Sequence, residues 1–388
     1  MRELNAEQKL IQETARRFTA DRVLPLANKL DPLKGSMPRA LIEEMAELGF
    51  FGILVAPEYG GLGLGAFEYC LVAEELARGW MSVGSIIARG NGMVGLFDEL
   101  PEERKADILT RMVKGEYLGA FSLSEPNAGS DVAALSCRAD RVGDCWEISG
   151  NKYWCTFADE ADFIIVFART NPEIDPNAKH RGISAFIVDK PRGDLPEGVR
   201  GAPIPKIGYF GWTTWELAFE RCRVPAENLL GEEGRGFYHV TSGLEVARAH
   251  TAARSIGLAR GALEDAMAYA RQRVQFGASI SHLQAIRFKL ADMATQIEAS
   301  RSLMYDVCER IDAGGRCDVE SSMVKLFASE MSEQVTSEAL QILGGAGYTT
   351  DFAIERYWRD ARLTKIFEGT SEIQKRIISD ALLGKAQT

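Results

Sequence analysis

Cysteine and histidine are scarce in this chain of 388 residues. The seven cysteines lie far apart without a C-x-x-C pair, and there are only four histidines. This spacing is typical of reduced thiols rather than of a disulfide framework or a zinc site. We therefore expect a protein of a reducing compartment, without a metal centre.

Long apolar runs and basic clusters are missing as well. Apolar segments such as residues 50–56 are far shorter than the ~18–20 residues of a membrane helix. The first twenty residues include acidic side chains, which predicts neither a signal peptide nor a transit peptide. The net charge is -10 and no segment is rich in Lys or Arg, so the basic surface that nucleic acids or anionic membranes require is absent. These features predict a cytoplasmic protein, or one from which a targeting segment has already been removed, that binds neither nucleic acid nor a membrane.

Proline is absent after Pro225, so the second half of the chain can form continuous helices. A helical period with many alanines starts near Gly243 and is interrupted by glycine pairs at 314–315 and 344–345. The first 117 residues also have helical periodicity, and Asn5 with Gln8 forms a capping-box pattern at their start.

The segment between these helical parts has a different pattern. Short β-prone stretches occur at 117–123, 134–142, 146–148, 163–168, 183–188 and 215–219, with polar loops at 171–181 and 191–200. Gly143 and Asp144 are typical of a two-residue hairpin turn. The predicted fold class is α+β, with an all-α domain at 1–117, a β-barrel or sandwich domain at 118–230 and a helical domain at 231–388.

Residues 60–66 contain a glycine pattern that formally matches a dinucleotide-binding loop. Such a loop needs a preceding strand and an acidic residue about 20 positions later. The surrounding sequence is helical, and the nearest acidic residues, Glu74 and Glu75, come too early. We therefore do not predict a Rossmann fold.

Five segments spread over almost the whole chain resemble the acyl-CoA dehydrogenase family. They are VAPEYGGLG at 55–63, LSEPNAGSD at 123–131, RVQFG at 273–277, QILGGAG at 341–347 and IFEGTSEIQ at 366–374. The resemblance implies a flavoprotein whose C-terminal domain is a four-helix bundle. It also implies a tightly bound FAD that introduces a double bond between the α and β carbons of an acyl-CoA thioester.

The resemblance assigns the FAD contacts to two parts of the chain. In the β segment they are Phe121, Leu123, Ser124, Ser130, Trp154 and Thr156, although an ordinary β-turn at 126–129 and a core tryptophan are the structural alternatives. In the helical segment they are Gln284, Gln341, Gly344, Gly345, Thr370 and Glu372, with Arg273, Gln275 and Phe276 reaching the FAD of a neighbouring subunit. A helix end followed by a turn is the alternative for the two glycines. A shared cofactor implies an oligomer, and the family suggests a homotetramer.

Glu368 matches the catalytic base of the family. Removal of an α proton from a thioester requires a positioned base, and the backbone N–H of Glu368 would help to hold the thioester oxygen. Some relatives carry the base on the helix that precedes Arg248, but the matching residue here is Ala247. The alternative for Glu368 is a solvated acid close to the start of a helix, which Ser371 and Gln374 are predicted to cap.

Glu245, Arg248, Ser130, Gly369 and Arg89 match positions that contact the acyl-CoA. Ion pairs are the structural alternatives for both arginines. Arg89 and the run 251–254 resemble the branch that acts on 2-substituted succinyl-CoA esters, so a dicarboxylyl-CoA is the alternative to a short or branched acyl chain. The resemblance implies electron-transfer flavoprotein as the acceptor. An oxidase or flavin monooxygenase on the same fold, and a scaffold protein without activity, remain as alternatives.

Overall fold

The computed structural model describes residues 2–171, 173, 178–238 and 243–384. The first part is helical, with α1 (Ala6–Phe18), α2 (Leu24–Leu30), α3 (Arg39–Glu47), α4 (Ala66–Gly79), α5 (Met81–Ile86), α6 (Ala88–Asn91) and α7 (Glu102–Val113). The predicted capping box is confirmed: Asn5 Oδ1 accepts the Gln8 N–H at 2.8 Å, and Gln8 Oε1 accepts the Asn5 N–H at 3.2 Å. The glycine cluster at 60–66 lies between a short 3₁₀ turn, Pro57–Tyr59, and α4. No described strand precedes it, so it is not part of a βαβ unit.

Eight strands form one sheet in the middle of the chain. They are β1 (Gly119–Ser122), β2 (Arg138–Val142), β3 (Cys145–Thr156), β4 (Phe163–Arg169), β5 (Ile183–Asp189), β6 (Val199–Pro203), β7 (Thr214–Pro225) and β8 (Leu229–Leu230). Their order is β6-β7-β3-β2-β4-β5-β8, with β1 parallel to β4. Val142 pairs with Cys145 across the predicted hairpin turn, which is confirmed.

Two features of the sheet differ from the prediction. β3 continues to Thr156 instead of ending at 148, and its register shifts between Lys152 and Cys155. Such an irregularity lets a strand continue although its apolar alternation is interrupted. β6 begins within the segment 191–200, which we predicted to be a loop. A strand can form there because β6 lies at the edge of the sheet, where its glycine and proline are tolerated. The other predicted loop, 171–181, lies partly outside the described residues.

The C-terminal part contains α8 (Leu244–Gln272), α9 (Gln284–Asp312), α10 (Asp318–Leu343), α11 (Ile354–Thr364) and α12 (Ser371–Leu383). α9 and α10 end before the predicted glycine pairs, so both breaks are confirmed. A small hairpin of β9 (Val274–Gln275) and β10 (Ala278–Ser279) connects α8 to α9 and was not predicted. The α+β fold class is confirmed. No described helix combines the length and the apolar character that a membrane crossing demands.

α8 is the central helix of the molecule and packs against α4, α9 and α10. Its buried alanines and Gly257 permit this close packing, since a Cβ atom on Gly257 would lie 2.3 Å from the Glu74 carbonyl oxygen of α4. The same packing buries two polar side chains of α8, Thr251 and Arg254. Both side chains face the turn that follows α11.

Candidate active site

The turn between α11 and α12 holds Glu368 in a strained conformation. Its φ is 53°, and that of Gly369 is 89°. A left-handed backbone at a residue other than glycine costs about 1–3 kcal/mol, so the surrounding contacts must maintain it. Lys325 Nζ donates to the Gly369 carbonyl at 2.6 Å, and Gln374 Nε2 donates to the same oxygen at 3.0 Å. These two bonds fix the position of Glu368.

The cap of α12 differs from the prediction. Thr370 is the N-cap, and its hydroxyl accepts the Ile373 N–H at 3.2 Å. Ser371 donates its hydroxyl to Glu330 at 2.7 Å. The predicted capping box of Ser371 and Gln374 is therefore wrong, because a tertiary contact uses the serine hydroxyl.

The Glu368 carboxylate is paired with a buried arginine of α8. Arg254 Nη2 lies 2.8 Å from both carboxylate oxygens, and the Thr251 hydroxyl also lies within hydrogen-bond distance of the carboxylate. The Arg254 side chain is 1% exposed, whereas that of Glu368 is 36% exposed. Burial is the largest single influence and lowers the pKa of Arg254, but the charge and hydrogen bond of Glu368, together with Tyr209 and Tyr69, outweigh it, and the net direction is upward. The arginine is therefore charged.

Two buried tyrosines lie in the electrostatic range of this pair. Burial raises the pKa of both Tyr69 and Tyr209, and Arg254 and Arg89 each oppose that rise. Phe367 connects the two sides, since its ring centroid is 4.9 Å from the Arg254 guanidinium and 6.3 Å from the Tyr209 ring. The surroundings of the ion pair thus combine aromatic rings with neutral hydroxyl groups.

Arg89 contacts the end of β3 and the residue that follows it. Its Nη2 donates to the Thr156 carbonyl at 3.4 Å, and its guanidinium is 5.9 Å from the Phe157 ring. Among the described residues no carboxylate forms an ion pair with Arg89, so the structural alternative for this arginine is not found. Arg89, Arg254 and Glu368 together carry one more positive charge than negative charge.

The predicted flavin contacts Leu123 and Ser124 follow β1. The Leu123 carbonyl accepts Lys152 Nζ at 3.0 Å, and the Ser124 carbonyl accepts the Tyr153 N–H at 2.8 Å. Lys152 is fully buried and forms an ion pair with Glu125 at 2.9 Å. This pair fixes the segment after β1 against β3.

The remaining predicted flavin contacts of the sheet have different environments. Phe121 packs against Phe167 with ring centroids 4.9 Å apart, and Ser130 is exposed in the following loop. Trp154 lies at the irregular register of β3 with a φ of 64°, and 55% of its surface is exposed, so it is not a core residue. Thr156 lies at the end of β3.

A chain of contacts connects the end of β3 with the Glu368 turn. The Thr156 hydroxyl lies 3.0 Å from that of Thr214, and Lys206 Nζ donates to Thr214 Oγ1 at 3.0 Å and to the Tyr209 carbonyl at 2.8 Å. Tyr209 in turn contacts Phe367, next to Glu368. The structure therefore brings the sheet residues and Glu368 into one region.

Seven predicted FAD contacts of the helical part are all exposed: Arg273, Gln275, Phe276, Gln284, Gln341, Gly344 and Gly345. Phe276 is 93% exposed at the tip of the β9–β10 hairpin. Gly344 ends α10, in agreement with the helix-end alternative. Within the described part of the chain, no hydrogen bond connects this group with Glu368. Glu372 is exposed in the first turn of α12, where its own N–H lowers its pKa.

Glu245 and Arg248 lie at the start of α8, where they contact the start of α10. Glu245 accepts the Cys317 N–H at 3.0 Å, and Arg248 Nη1 lies 3.7 Å from the Asp318 carboxylate. Burial lowers the pKa of Arg248. The interhelix ion pair that was the alternative for Arg248 is thus present.

The side chains at the site fit FAD. The flavin ring needs an aromatic or apolar neighbour and hydrogen-bond donors at its edge, and a diphosphate suits a guanidinium. Trp154 supplies an aromatic ring, and the hydroxyl groups of Thr156 and Ser124 supply hydrogen-bond donors. Arg273 supplies the guanidinium for the diphosphate. In the described turn the N–H groups of Glu368 and Gly369 have no acceptor, so they are free to bind a ligand.

Arg254, Thr251 and Lys325 were not predicted to be site residues. Arg254 had a signal in the sequence: a charged residue on a helix among small apolar residues must be paired if it is buried. Its partner is distant in the sequence, so only the structure identifies it.

Comparison with known families gives three matches that together cover most of the chain. The acyl-CoA dehydrogenase N-terminal domain model matches residues 5–116, the middle domain model residues 120–222 and the C-terminal domain model residues 234–383.

Individual relatives are similar over their full lengths. An acyl-CoA dehydrogenase of Bacillus subtilis is 40% identical, covering 97% of this chain and 98% of the relative. A 3-(aryl)acrylate reductase of Clostridium sporogenes is 38% identical, with the same two coverages. The structure of butyryl-CoA dehydrogenase from Megasphaera elsdenii superimposes with a TM-score of 0.91 at 36% identity, covering 99% of this chain and 100% of that chain.

Proposed function

Since the chain belongs to the acyl-CoA dehydrogenase family, and is therefore an FAD-dependent oxidoreductase, we propose that it oxidises the α,β bond of a short or branched acyl-CoA. The observation that supports this reaction best is the fixed position of the Glu368 carboxylate. It lies on a strained turn and is contacted by Arg254 and Thr251. A base in a fixed position is what removal of a weakly acidic α proton requires.

The residues of the turn have separate roles in this proposal. Glu368 removes the α proton. The unpaired N–H groups of Glu368 and Gly369 bind the thioester oxygen, where negative charge develops as the proton leaves. Lys325 and Gln374 maintain the turn through the Gly369 carbonyl. Bound FAD supplies the acceptor for the two electrons that leave with the β hydrogen.

Two groups of residues hold the cofactor. Phe121, Leu123, Ser124, Trp154 and Thr156, together with Thr370 and Glu372, contact the flavin part, and the exposed group around Arg273 and Phe276 binds the FAD of a neighbouring subunit. This division makes a homotetramer part of the proposal, since one chain alone leaves the second group uncovered. The proposal retains domain limits of 1–117, 118–230 and 231–388. It also retains a cytoplasmic location, which the seven free cysteines support.

The proposed electron acceptor is electron-transfer flavoprotein. Anaerobic mixing with butyryl-CoA or isovaleryl-CoA should bleach the flavin, and the reduced enzyme should react slowly with air. Fast reoxidation by O₂ would instead favour an oxidase or a monooxygenase.

The decisive variant is Glu368→Gln, which keeps the size of the side chain but removes the base. We expect normal FAD content and a loss of flavin reduction of at least ~10³-fold. If the flavin of the variant were reduced at the wild-type rate, another residue would be the base. Binding of acyl-CoA without reduction by the wild-type protein would favour the scaffold alternative.

A dicarboxylyl-CoA, such as a 2-substituted succinyl-CoA, is the second candidate substrate. Arg89 supports it, because this arginine lacks an ion-pair partner among the described residues. Arg89→Ala should reduce activity on methylsuccinyl-CoA more than on isovaleryl-CoA. Equal activity of both proteins on methylsuccinyl-CoA would reject a role of Arg89 in carboxylate binding.

A further inference from the structure

Lys206 is a half-buried lysine in the loop between β6 and β7. Its Nζ donates to the carbonyl oxygens of Tyr209 and Trp212, both at 2.8 Å, and to Thr214 Oγ1 at 3.0 Å. An ammonium group has three hydrogens and no lone pair, so these three bonds use it completely. Thr214 therefore receives a hydrogen from Lys206 and cannot donate one to it.

Thr214 of β7 lies directly opposite Thr156 of β3, and their hydroxyl oxygens are 3.0 Å apart. Thr214 is 4% exposed, and among the described residues Thr156 Oγ1 is the only acceptor within reach of its hydroxyl hydrogen. A buried hydroxyl group that donates to no acceptor costs free energy. Thr214 therefore donates to Thr156, and the hydrogen of the Thr156 hydroxyl must find a different acceptor.

The Thr156 hydroxyl has that hydrogen to offer to a ligand. Thr156 is half-buried at the end of β3, and its hydroxyl forms no second hydrogen bond with the described residues. Trp154, the exposed aromatic residue proposed to contact the flavin, lies two positions earlier on the same strand. A donor thus lies in the region where the proposed flavin contacts of the sheet are found.

We propose that Lys206 is a positioning residue for the cofactor: its ammonium group fixes the direction of the two threonine hydroxyls, so that Thr156 donates a hydrogen bond to the flavin ring. A hydrogen bond to the ring changes the electronic properties of a flavin. The inference rests on the proposed flavin contact of Thr156 and goes beyond it. It assigns the direction of that contact to a residue two hydrogen bonds away.

The neutral form of Lys206 reverses this direction. Burial lowers the pKa of Lys206 to about 8, and the charge of Asp360 opposes that change. After the ammonium group has released its proton to solvent, the amine keeps two hydrogens for the two carbonyl groups and gains a lone pair that accepts the Thr214 hydrogen. Thr156 then donates to Thr214 instead of to the flavin. The absorption spectrum of bound FAD should therefore depend on the charge of Lys206.

Asp360 of α11 is the charged group in electrostatic range of Lys206. Arg359, next to it on α11, pairs with Asp31. The Tyr209 ring, whose centroid is 5.0 Å from Nζ, is neutral because burial raises the pKa of its hydroxyl. Asp360 itself has a pKa of about 7, so the test has to separate its ionisation from that of Lys206.

The test follows the absorption spectrum of the flavin in the holoenzyme between pH 6 and pH 9, with free FAD as the reference for ionisation of the ring itself. We expect the long-wavelength band of the wild type to shift with a midpoint near pH 8. Lys206→Met removes the ionising group. Thr214→Val removes the link, although Lys206 still ionises. Both variants should lose the shift.

Three further variants identify the group that causes the shift. Thr214→Ser keeps the hydroxyl and should retain the shift. Lys190→Met should retain it as well, because buried Lys190 donates only to backbone carbonyl oxygens within the described residues. Asp360→Asn should lower the midpoint without abolishing the shift, because the charge of Asp360 raises the pKa of Lys206.

A shift that persists in Lys206→Met or Thr214→Val would overturn the inference, since the hydroxyl pair would then not connect Lys206 to the flavin. A shift that disappears in Asp360→Asn would assign it to Asp360 instead. A wild-type band that does not move, or loss of the shift in Thr214→Ser or Lys190→Met, would also overturn it. Failure of the proposed function has a different signature, because acyl-CoA would then leave the wild-type flavin oxidised at every pH.

Discussion

Asp360 is a buried carboxyl group close to the candidate active site. Burial, and then the charge of Asp31, raise the pKa of Asp360 to about 7. Its carboxyl oxygen accepts the Tyr209 N–H at 2.6 Å, and Tyr209 contacts Phe367, next to Glu368. The protonation of Asp360 therefore affects the loop between β6 and β7, which contacts the Glu368 turn through Tyr209.

We expect the variant Asp360→Asn to change the pH dependence of stability. The pKa of Asp360 is higher in the folded protein than in the unfolded chain, so the wild type loses stability as the pH rises from about 4 to about 7. Asparagine keeps the acceptor for Tyr209 without ionising. The free energy of unfolding of the variant, relative to wild type, should increase over this range by up to about 4 kcal/mol.

Urea unfolding followed by circular dichroism at pH 5 and pH 8 measures this difference. Asp292→Asn is the control, because Asp292 is exposed on α9 and should give the same difference from wild type at both pH values. A constant difference for Asp360→Asn as well would contradict the raised pKa.

At the residue scale, the motifs predicted Glu368 but not its partners. Glu368 and Gly369 lie in a contiguous motif that the sequence displays directly. Arg254 and Thr251 lie more than one hundred residues earlier, and they contact Glu368 only because α8 passes beside the turn. Ser371 shows the converse case, since its predicted local cap is replaced by a bond to Glu330.

At the scale of elements, the close packing of α4 on α8 holds Arg254 in place. Gly257→Ala should disturb it, because the new Cβ atom would lie 2.3 Å from the backbone oxygen of Glu74 and 3.0 Å from the Cβ of Ala77. We expect a loss of about 1–3 kcal/mol in the free energy of unfolding. Thermal unfolding monitored by circular dichroism measures it.

Gly243→Ala is the matched control for this variant. Among the described residues, a Cβ atom at Gly243 has no neighbour within 4 Å, so the substitution at the start of α8 should cost less than Gly257→Ala. Equal melting temperatures for Gly257→Ala and wild type would show that α4 and α8 can separate without cost.

Helix ends were predicted more accurately than strand lengths. Glycine pairs and the Asn5 cap are local signals, and they mark the observed ends of α9, α10 and the start of α1. β3 and β6 depend on partners in β7, which no local pattern in these segments indicates. Strand pairing is set by neighbours in space, so short-range patterns predict it poorly.

At the scale of the whole molecule, the C-terminal part exposes large apolar side chains. Four of them are each more than half exposed and lie close in sequence to the proposed FAD contacts of the helical part: Val274, Phe276, Phe288 and Tyr348. Exposed apolar surface of this kind marks contacts with other molecules. It supports the proposed homotetramer.

Phe276→Asp should therefore lower both the molecular mass in solution and the FAD content per chain, because a buried, unpaired carboxylate opposes association. Light scattering after size exclusion gives the mass, and flavin absorbance gives the occupancy. Leu33→Asp, at a residue exposed to 76% in the N-terminal part, should change neither quantity. A Phe276→Asp protein with wild-type mass and flavin content would contradict the shared site.

Sequence patterns were enough to predict the α+β class, the order of helical and β parts, the family and the motif that contains Glu368, because these depend on local periodicity and on contiguous motifs. The tertiary structure decided what surrounds Glu368. Thr251 and Arg254 of α8, Lys325 of α10 and Arg89 of α6 come from three separate segments, and only folding brings the three cations among them into one region.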